Sequence, residues 1–250
     1  MPITIGNGIT LGSGVTITPF FPGKVSNTEG SIQFAGTNYL SVKAHQQGQI
    51  TAMGTNDFTW ECYVHPIVTS GYQTVIDTRT QTIGGDTTGF YFGTNFNTLT
   101  LMYYTDSVQL ESSIDMNLNT WNHIALTRDS GTVTIWVNGV SGGTYTDSTN
   151  LTQQRVFIGG SSNNGLNMTG YISNLRMVNG VAVYTDTFTP LTTRLSASQN
   201  AGTNISAISS GQTALLLDTS YGSGYLIDSS NYNLTVDNNG GAINSTLNPF

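Results

Sequence analysis

Between residues 31 and 194 one pattern recurs: a short run of alternating apolar and polar residues, closed by Gly, Asn, Asp or Ser. SIQFAG, NYLSVK, FTWECYVHP, TVIDTR, GFYFGT, TLTLMYY, WNHIALTRD, TVTIWVNG, GTYTD, RVFIGG and GYISNLRMV all follow it. A period of two puts every second side chain on one face of a strand, whereas a helix needs apolar residues three and four apart. No segment carries convincing helical spacing, so the pattern predicts an antiparallel sandwich or barrel. Two corners are legible. RDSGT, between HIAL and TVTIWV, and Asn138-Gly139, in WVNGV, supply residues that accept positive φ. The three strands around them should form a meander with Trp121 and Trp136 near it.

Composition narrows the class of protein. With 250 residues the chain is long enough for one large sandwich or two small domains with a sizeable core. Charged residues are only 8% of it, so Gly, Ser, Thr and Asn must build the surface, while 12 Tyr, 10 Phe and 3 Trp in regular alternation argue against disorder. The net charge is −7 and the 7 basic residues are scattered, so no cluster exists to neutralise phosphates. Neither nucleic acid nor an anionic membrane is expected as a partner. The single cysteine, Cys62, cannot form an intrachain disulfide; it shares parity with Phe58, Trp60 and Val64 and is expected to be a buried thiol. No leader-like start and no bilayer-length apolar run is present, which implies synthesis in a reducing cytoplasm, or export without a conventional signal.

The chain begins with a repeat, ITIGNG, ITLGSG and VTIT from Ile3. Its even period places Ile3, Ile5, Ile9, Leu11, Val15 and Ile17 on one face of an extended arm that would reach about 50 Å. The opposite face is only Thr and Gly. Left free, such a strip would aggregate, so it is expected to rest on its own sandwich, on sister chains, or on another protein by strand addition. PFFPGKVSNTEG reads as a hinge, giving an arm and hinge over 1–24 and a body over 25–250. Within the body, 193–213 is polar and unpatterned and is expected to be a long surface connection. Beyond it ALLLD, GYLID and YNLTVDNNGGAI return to strand character. They are expected beside the strands near Ser31, closing one sandwich.

SIQFAGTNYLSV, NDFTWECYVHP, VIDTR, GFYFG, LTLMYY, NTWNHIALTRDSGTVTIWVNGV, RVFIGG, GYISNLRMVNGVAVYTDTFTP and TALLLD, over roughly 31–243, occur in a distinctive order. In that order the chain resembles the concanavalin A-like, laminin-G-like jelly-roll domains found in many tailed-phage virion proteins. The resemblance implies an all-β, two-sheet antiparallel jelly roll of about 12 to 14 strands. It also implies a non-enzymatic virion structural protein made in the host cytoplasm: a surface-displayed, lectin-like sandwich anchored by its N-terminal arm, as head decoration or tail appendage. Its partners would be other virion proteins or sister chains. The alternative is a carbohydrate-binding host-recognition adhesin of a tail fibre, and a more remote one is a glycan hydrolase.

Candidate chemistry is sparse. Retaining hydrolases of the resembled class carry Glu-x-Asp-x-x-Glu on one strand, but Glu29, Glu61 and Glu111 are isolated. Glu61, opposite in parity to Trp60 and Cys62, reads either as lining the concave sheet or, in preference, as a solvated strand residue, and a lone carboxylate cannot do two-group acid–base work. His45, His65 and His123 lack zinc-ligand spacing; His123 reads as a packing or hydrogen-bonding residue, and Asp129 as a turn residue. The resemblance implies a possible calcium site at the rim, with Asp77 and Asp86 as ligands and Asp147 as a third. No cofactor is otherwise required. Glycan binding needs aromatic faces beside amides or carboxylates. Tyr72, Tyr91, Tyr103, Tyr104 and Tyr145 are the candidate platforms, with Asn95 and Asn97 in a loop near them.

Overall fold

The computed structural model describes residues 30–42, 52–79, 88–153, 155–161, 166–219 and 226–250, together with the backbone of 3–5 and 9–11. The N-terminal segment holds β1 (Ile3–Ile5) and β2 (Ile9–Leu11). The body holds β3 (Ser31–Ala35), β4 (Tyr39–Val42), β5 (Phe58–Pro66), β6 (Thr74–Asp77), β7 (Tyr91–Thr94), β8 (Thr100–Tyr104), β9 (Val108–Asp115) and β10 (Asn122–Asp129). It continues with β11 (Thr132–Val137), β12 (Val140–Thr146), β13 (Val156–Ile158), β14 (Thr169–Asn179), β15 (Thr213–Asp218), β16 (Ile227–Asp228), β17 (Val236–Asn239) and β18 (Ile243–Ser245). No helix occurs among the described residues.

The strands of the body, β3 to β18, form the two antiparallel sheets of a jelly-roll sandwich. The first runs β12-β11-β10-β5-β14-β15-β16, with β3 on the early half of β14 and β18 outside β3. The second runs β17-β4-β13-β6-β7-β8-β9. The late strands thus lie beside the early ones: β18 pairs β3 and β17 pairs β4. Both legible corners are hairpin turns with two positive-φ residues, Ser130 (47°) and Gly131 (80°), then Asn138 (51°) and Gly139 (82°), and they join β10, β11 and β12 as a meander. Gly139 is required twice over, since a Cβ there would also lie 2.0 Å from the Phe188 carbonyl oxygen.

The core between the sheets follows strand parity. Phe58, Trp60, Cys62 and Val64 of β5 pack with Ile124 and Leu126 of β10 against Ile76, Phe92, Leu101 and Tyr103 of the second sheet, all buried. Each large apolar side chain so placed contributes about 1.5–3 kcal/mol over its exposed state. Cys62 is the expected core thiol, and burial pushes its ionisation well up.

The other parity of β5 departs from the sequence reading. Thr59, Glu61 and Tyr63 are buried as well. Residues 181–212 cross the outer face of the first sheet, and Val183, Tyr184, Phe188 and Ile208 pack there on Ala125, Trp136 and Val178 as a second apolar cluster. Thr59 Oγ1 donates to the Val181 carbonyl (2.9 Å) and accepts from the Val183 N–H (2.8 Å), and the Tyr63 hydroxyl donates to the Leu191 carbonyl. The stretch 193–213 is irregular, yet it is not a free surface connection. Leu195 and Ile208 are buried, and isolated bridges such as Gln199 with Ile208 hold it in shape.

The first two hexads also correct an expectation. They do not continue as one extended strip: β1 and β2 pair antiparallel, with Ile3 opposite Leu11, Thr4 opposite Thr10 and Ile5 opposite Ile9. Short β-branched runs separated by an Asn-Gly step favour folding back, and this register keeps apolar positions opposite apolar ones. Val15 and Ile17 lie outside the described residues.

Candidate functional site

Two of the places where the described residues gather polar and aromatic groups differ in exposure, one closed and one open. The closed one is built by sheet register. Glu61 of β5 lies opposite Ala125 of β10 on one side and Arg176 of β14 on the other. Arg176 donates to Glu61 Oε1 through Nη2 (2.6 Å) and Nε (2.8 Å). The Tyr184 hydroxyl reaches Oε2 at 2.5 Å, and His123 Nε2 lies 3.2 Å from the same oxygen. The remaining Arg176 donors go to the covering segment, to the Ser196 carbonyl (2.7 Å) and Gln199 Oε1 (2.8 Å). Burial alone would raise the Glu61 pKa, but the Arg176 charge and the hydrogen bonds from His123 and Tyr184 bring it down to about 2. Glu61 is therefore an ionised, fully engaged internal group and not the solvated residue expected; it cannot protonate a leaving group. His123 is the packing residue anticipated, edge-on to Tyr63, Tyr184 and Phe188.

The open place is a rim made by the β5–β6 connection (67–73) and the β7–β8 connection (95–99). Asn97, at φ 59°, ties them together: its N–H donates to the Gly71 carbonyl (3.1 Å), and its Oδ1 accepts from the Gly71 N–H (2.8 Å). This clasp sets Tyr72 against Phe96, with ring centroids 5.3 Å apart and planes at 53°. Phe96 is 56% exposed and Tyr72 half-buried. Alongside, Asn95 Nδ2 donates to Glu111 Oε1 (2.7 Å), and its Oδ1 accepts from the Phe96 N–H (2.7 Å). The Thr100 hydroxyl orients Asp115 in the same way (2.6 Å). An exposed aromatic face beside pre-oriented amide and carboxylate groups meets the requirements for stacking a sugar ring and hydrogen-bonding its hydroxyls.

Of the residues singled out from sequence, Tyr72, Asn95 and Asn97 come together here. Tyr91 and Tyr103 do not. They are 1% and 0% exposed, and their hydroxyls donate to the Thr94 carbonyl and to Asp147 Oδ2, both at 2.9 Å. Burial raises both phenols far above their usual range, and neither presents a face to a ligand. Tyr104 lies under the Arg79 guanidinium, 5.0 Å from its ring, and Tyr145 stands apart on β12. Phe96 and Glu111 are the partners that sequence reasoning missed. The available signal was an apolar ring at a turn tip, NFN, with no strand parity to bury it.

The expected calcium ligands are placed differently. Asp77 is buried, with Oδ1 accepting from Arg79 Nε (3.0 Å) and Oδ2 from Nη2 (2.9 Å). Asp147 accepts from Tyr103, from the Thr149 N–H (2.9 Å) and from Arg128 Nη1 (3.4 Å). Both face internal partners, and Asp86 lies outside the described residues. No group of three or more His, Cys, Asp or Glu gathers among the described residues.

Two cavities lie elsewhere in the sandwich. One of about 300 Å³ lies beside the Arg194–Asp218 ion pair, against Leu195 and Leu216. Another, of about 360 Å³, is lined by Thr127, Thr134 and Thr144 with Trp136 and Tyr184. Those two rings are 3% and 2% exposed, so this hydroxyl-lined hollow lacks an open stacking face.

The fold is that of a lectin-like β-sandwich. The sequence match agrees: residues 34–187, more than half of the chain, match the family described as the Concanavalin A-like lectin/glucanases superfamily, and the chain belongs to it. Among solved structures it is similar to a Bacteroides ovatus protein for which carbohydrate binding is proposed, with TM-score 0.59 and 16% identity. The alignment covers 86% of this chain and 61% of that one, less than two thirds of its length. A sialyllactose-bound CBM40 of the Ruminococcus gnavus IT-sialidase (TM-score 0.48, 16% identity, 59% of this chain and 88% of that one) is also similar. So is a heptameric SAP-like pentraxin of Limulus polyphemus (0.47, 16%, 63% and 80%). No curated protein matches the sequence.

Proposed function

We propose that this chain is a non-catalytic, glycan-binding sandwich of a tailed-phage virion. Sugar stacks on the Tyr72–Phe96 rim, and the N-terminal hexads attach the sandwich to its carrier. The observation that carries the reading is the exposed Phe96 ring, clasped to Tyr72 and flanked by the Asn95–Glu111 pair. The virion setting is supported by the hexad repeat and by GYISNLRMVNGVAVYTDTFTP, which resembles phage virion domains. Hydrolysis is disfavoured by the internal engagement of Glu61 and by the missing two-glutamate motif. Binding at this rim uses no metal and should persist in a chelator; its loss there would bring Asp86 back as a calcium ligand.

The test is affinity electrophoresis of the full chain in gels of soluble polysaccharides, alongside Phe96→Ala and Tyr72→Ala. Retardation by at least one glycan, weakened about tenfold by each substitution, is the expected result. Equal retardation of all three proteins, or shortening of the polysaccharide, overturns it. Light scattering of the full chain and of a chain starting at Ser31 then separates the settings. An oligomer formed only by the full chain points to a fibre adhesin, and two monomers point to decoration of another virion protein.

A further inference from the structure

We infer that the glycan taken at the Tyr72–Phe96 rim is neutral, and that sugars bearing carboxylate or sulfate are turned away. This rests on the glycan-binding reading above and follows from where the chain places its cations. Arg79, Arg128 and Arg176 are 6%, 0% and 0% exposed. Each is clasped internally: Arg79 by Asp77, Arg176 by Glu61, and Arg128 by the Gly54 (2.6 Å), Asn56 (2.9 Å) and Thr149 (2.9 Å) carbonyls with Asp147. Arg194 pairs with Asp218 at β15, in the other sheet. Arg155 is exposed, but the register of β13 on β6, Phe157 opposite Asp77, sets it level with Arg79, at the far end of β6 from Tyr72. Lys24 and Lys43 lie outside the described residues.

The rim, by contrast, carries exposed Glu111 and Asp115, held in orientation by Asn95 and Thr100. An acidic sugar stacked on Phe96 would meet two like charges and, among the described residues, no cation to pair with. A neutral pyranose presents its C–H face to the rings and its hydroxyl protons to the Glu111 oxygens, where an ionised acceptor makes the stronger hydrogen bond. The arrangement therefore selects against charge while rewarding hydroxyls.

The test is an array of neutral oligosaccharides, each printed with its uronate or sialylated counterpart, probed with the full chain, Phe96→Ala, Tyr72→Ala and Glu111→Gln at low and high salt. Expected are neutral signals lost in Phe96→Ala, acidic counterparts about tenfold weaker, and little salt dependence of the neutral signals. Glu111→Gln, which keeps an acceptor for Asn95, should raise the acidic counterparts about fivefold and lower the neutral ones about threefold. Acidic glycans bound more tightly than neutral ones, with the signal lost in Phe96→Ala, overturn the inference while leaving the site in place. Signals that survive both aromatic substitutions, or a blank array, overturn the site and the inference together.

Discussion

The covered face around Glu61 and the open rim around Phe96 both set a carboxylate beside an amide and a tyrosine, but only the covered face adds an arginine and a histidine. One holds a glutamate, a glutamine and a tyrosine (Glu61, Gln199, Tyr184); the other holds a glutamate, an asparagine and a tyrosine (Glu111, Asn95, Tyr72). In the first, residues 181–212 exclude water and every strong bond runs to another part of the chain. In the second, two loop tips leave more than half of Phe96 in solvent. Residue type alone therefore does not mark a binding site in this sandwich. What separates the two places is whether the chain has already supplied the partner. Its own segment occupies the outer face of the first sheet, whereas the Phe96 ring at the rim stays in solvent.

Breaking the covered face should have the largest effect. Glu61→Ala strands the Arg176 charge in the interior and should cost about 3–5 kcal/mol in urea unfolding, whereas replacing the pair together by Met and Leu should recover most of that loss. Acid probes the same pair. The folded pKa of Glu61, about 2, lies below its ordinary value of 4.5, so the unfolded chain takes up the proton first. Stability contributed by this group, about 3 kcal/mol, is present above pH 4.5 and disappears as the pH falls toward 2; Glu61→Gln should flatten that part of the profile.

At the rim the effects should invert, with binding moving and stability not. Phe96→Ala should weaken glycan binding about tenfold while changing unfolding free energy by less than about 0.5 kcal/mol. The smallest effect tests the clasp. Asn97→Gly keeps the positive φ but loses the acceptor for the Gly71 N–H, so binding should fall about threefold; Asn97→Val should also cost about 1 kcal/mol of stability. If Asn97→Gly leaves affinity unchanged, the clasp does not position the rings.

Much of the fold was legible because its signals are local. The parity of Phe58, Trp60, Cys62 and Val64 identified the core face of β5, and Asn138-Gly139 marked the β11–β12 corner, since φ preference and strand period are properties of a few consecutive residues. The same parity misplaced Glu61, because alternation assigns polar residues to water unless something covers them. The cover, 181–212, has no periodic pattern to announce it. The rim was half legible. Tyr72, Asn95 and Asn97 were named from their residue types, yet Tyr91 and Tyr103 satisfied the same criterion and proved to be internal.

From its own order of residues this chain determined an antiparallel sandwich, the meander of β10, β11 and β12, and an interior with a free thiol. These follow from backbone sterics and short-range alternation, which act before any distant contact forms. The tertiary structure alone decided that Arg176 meets Glu61 across 115 positions, that Tyr184 closes over them across 123, and that Phe96 and not Tyr103 faces solvent. Burial is set by what distant segments come to rest on a surface, and no local pattern encodes that.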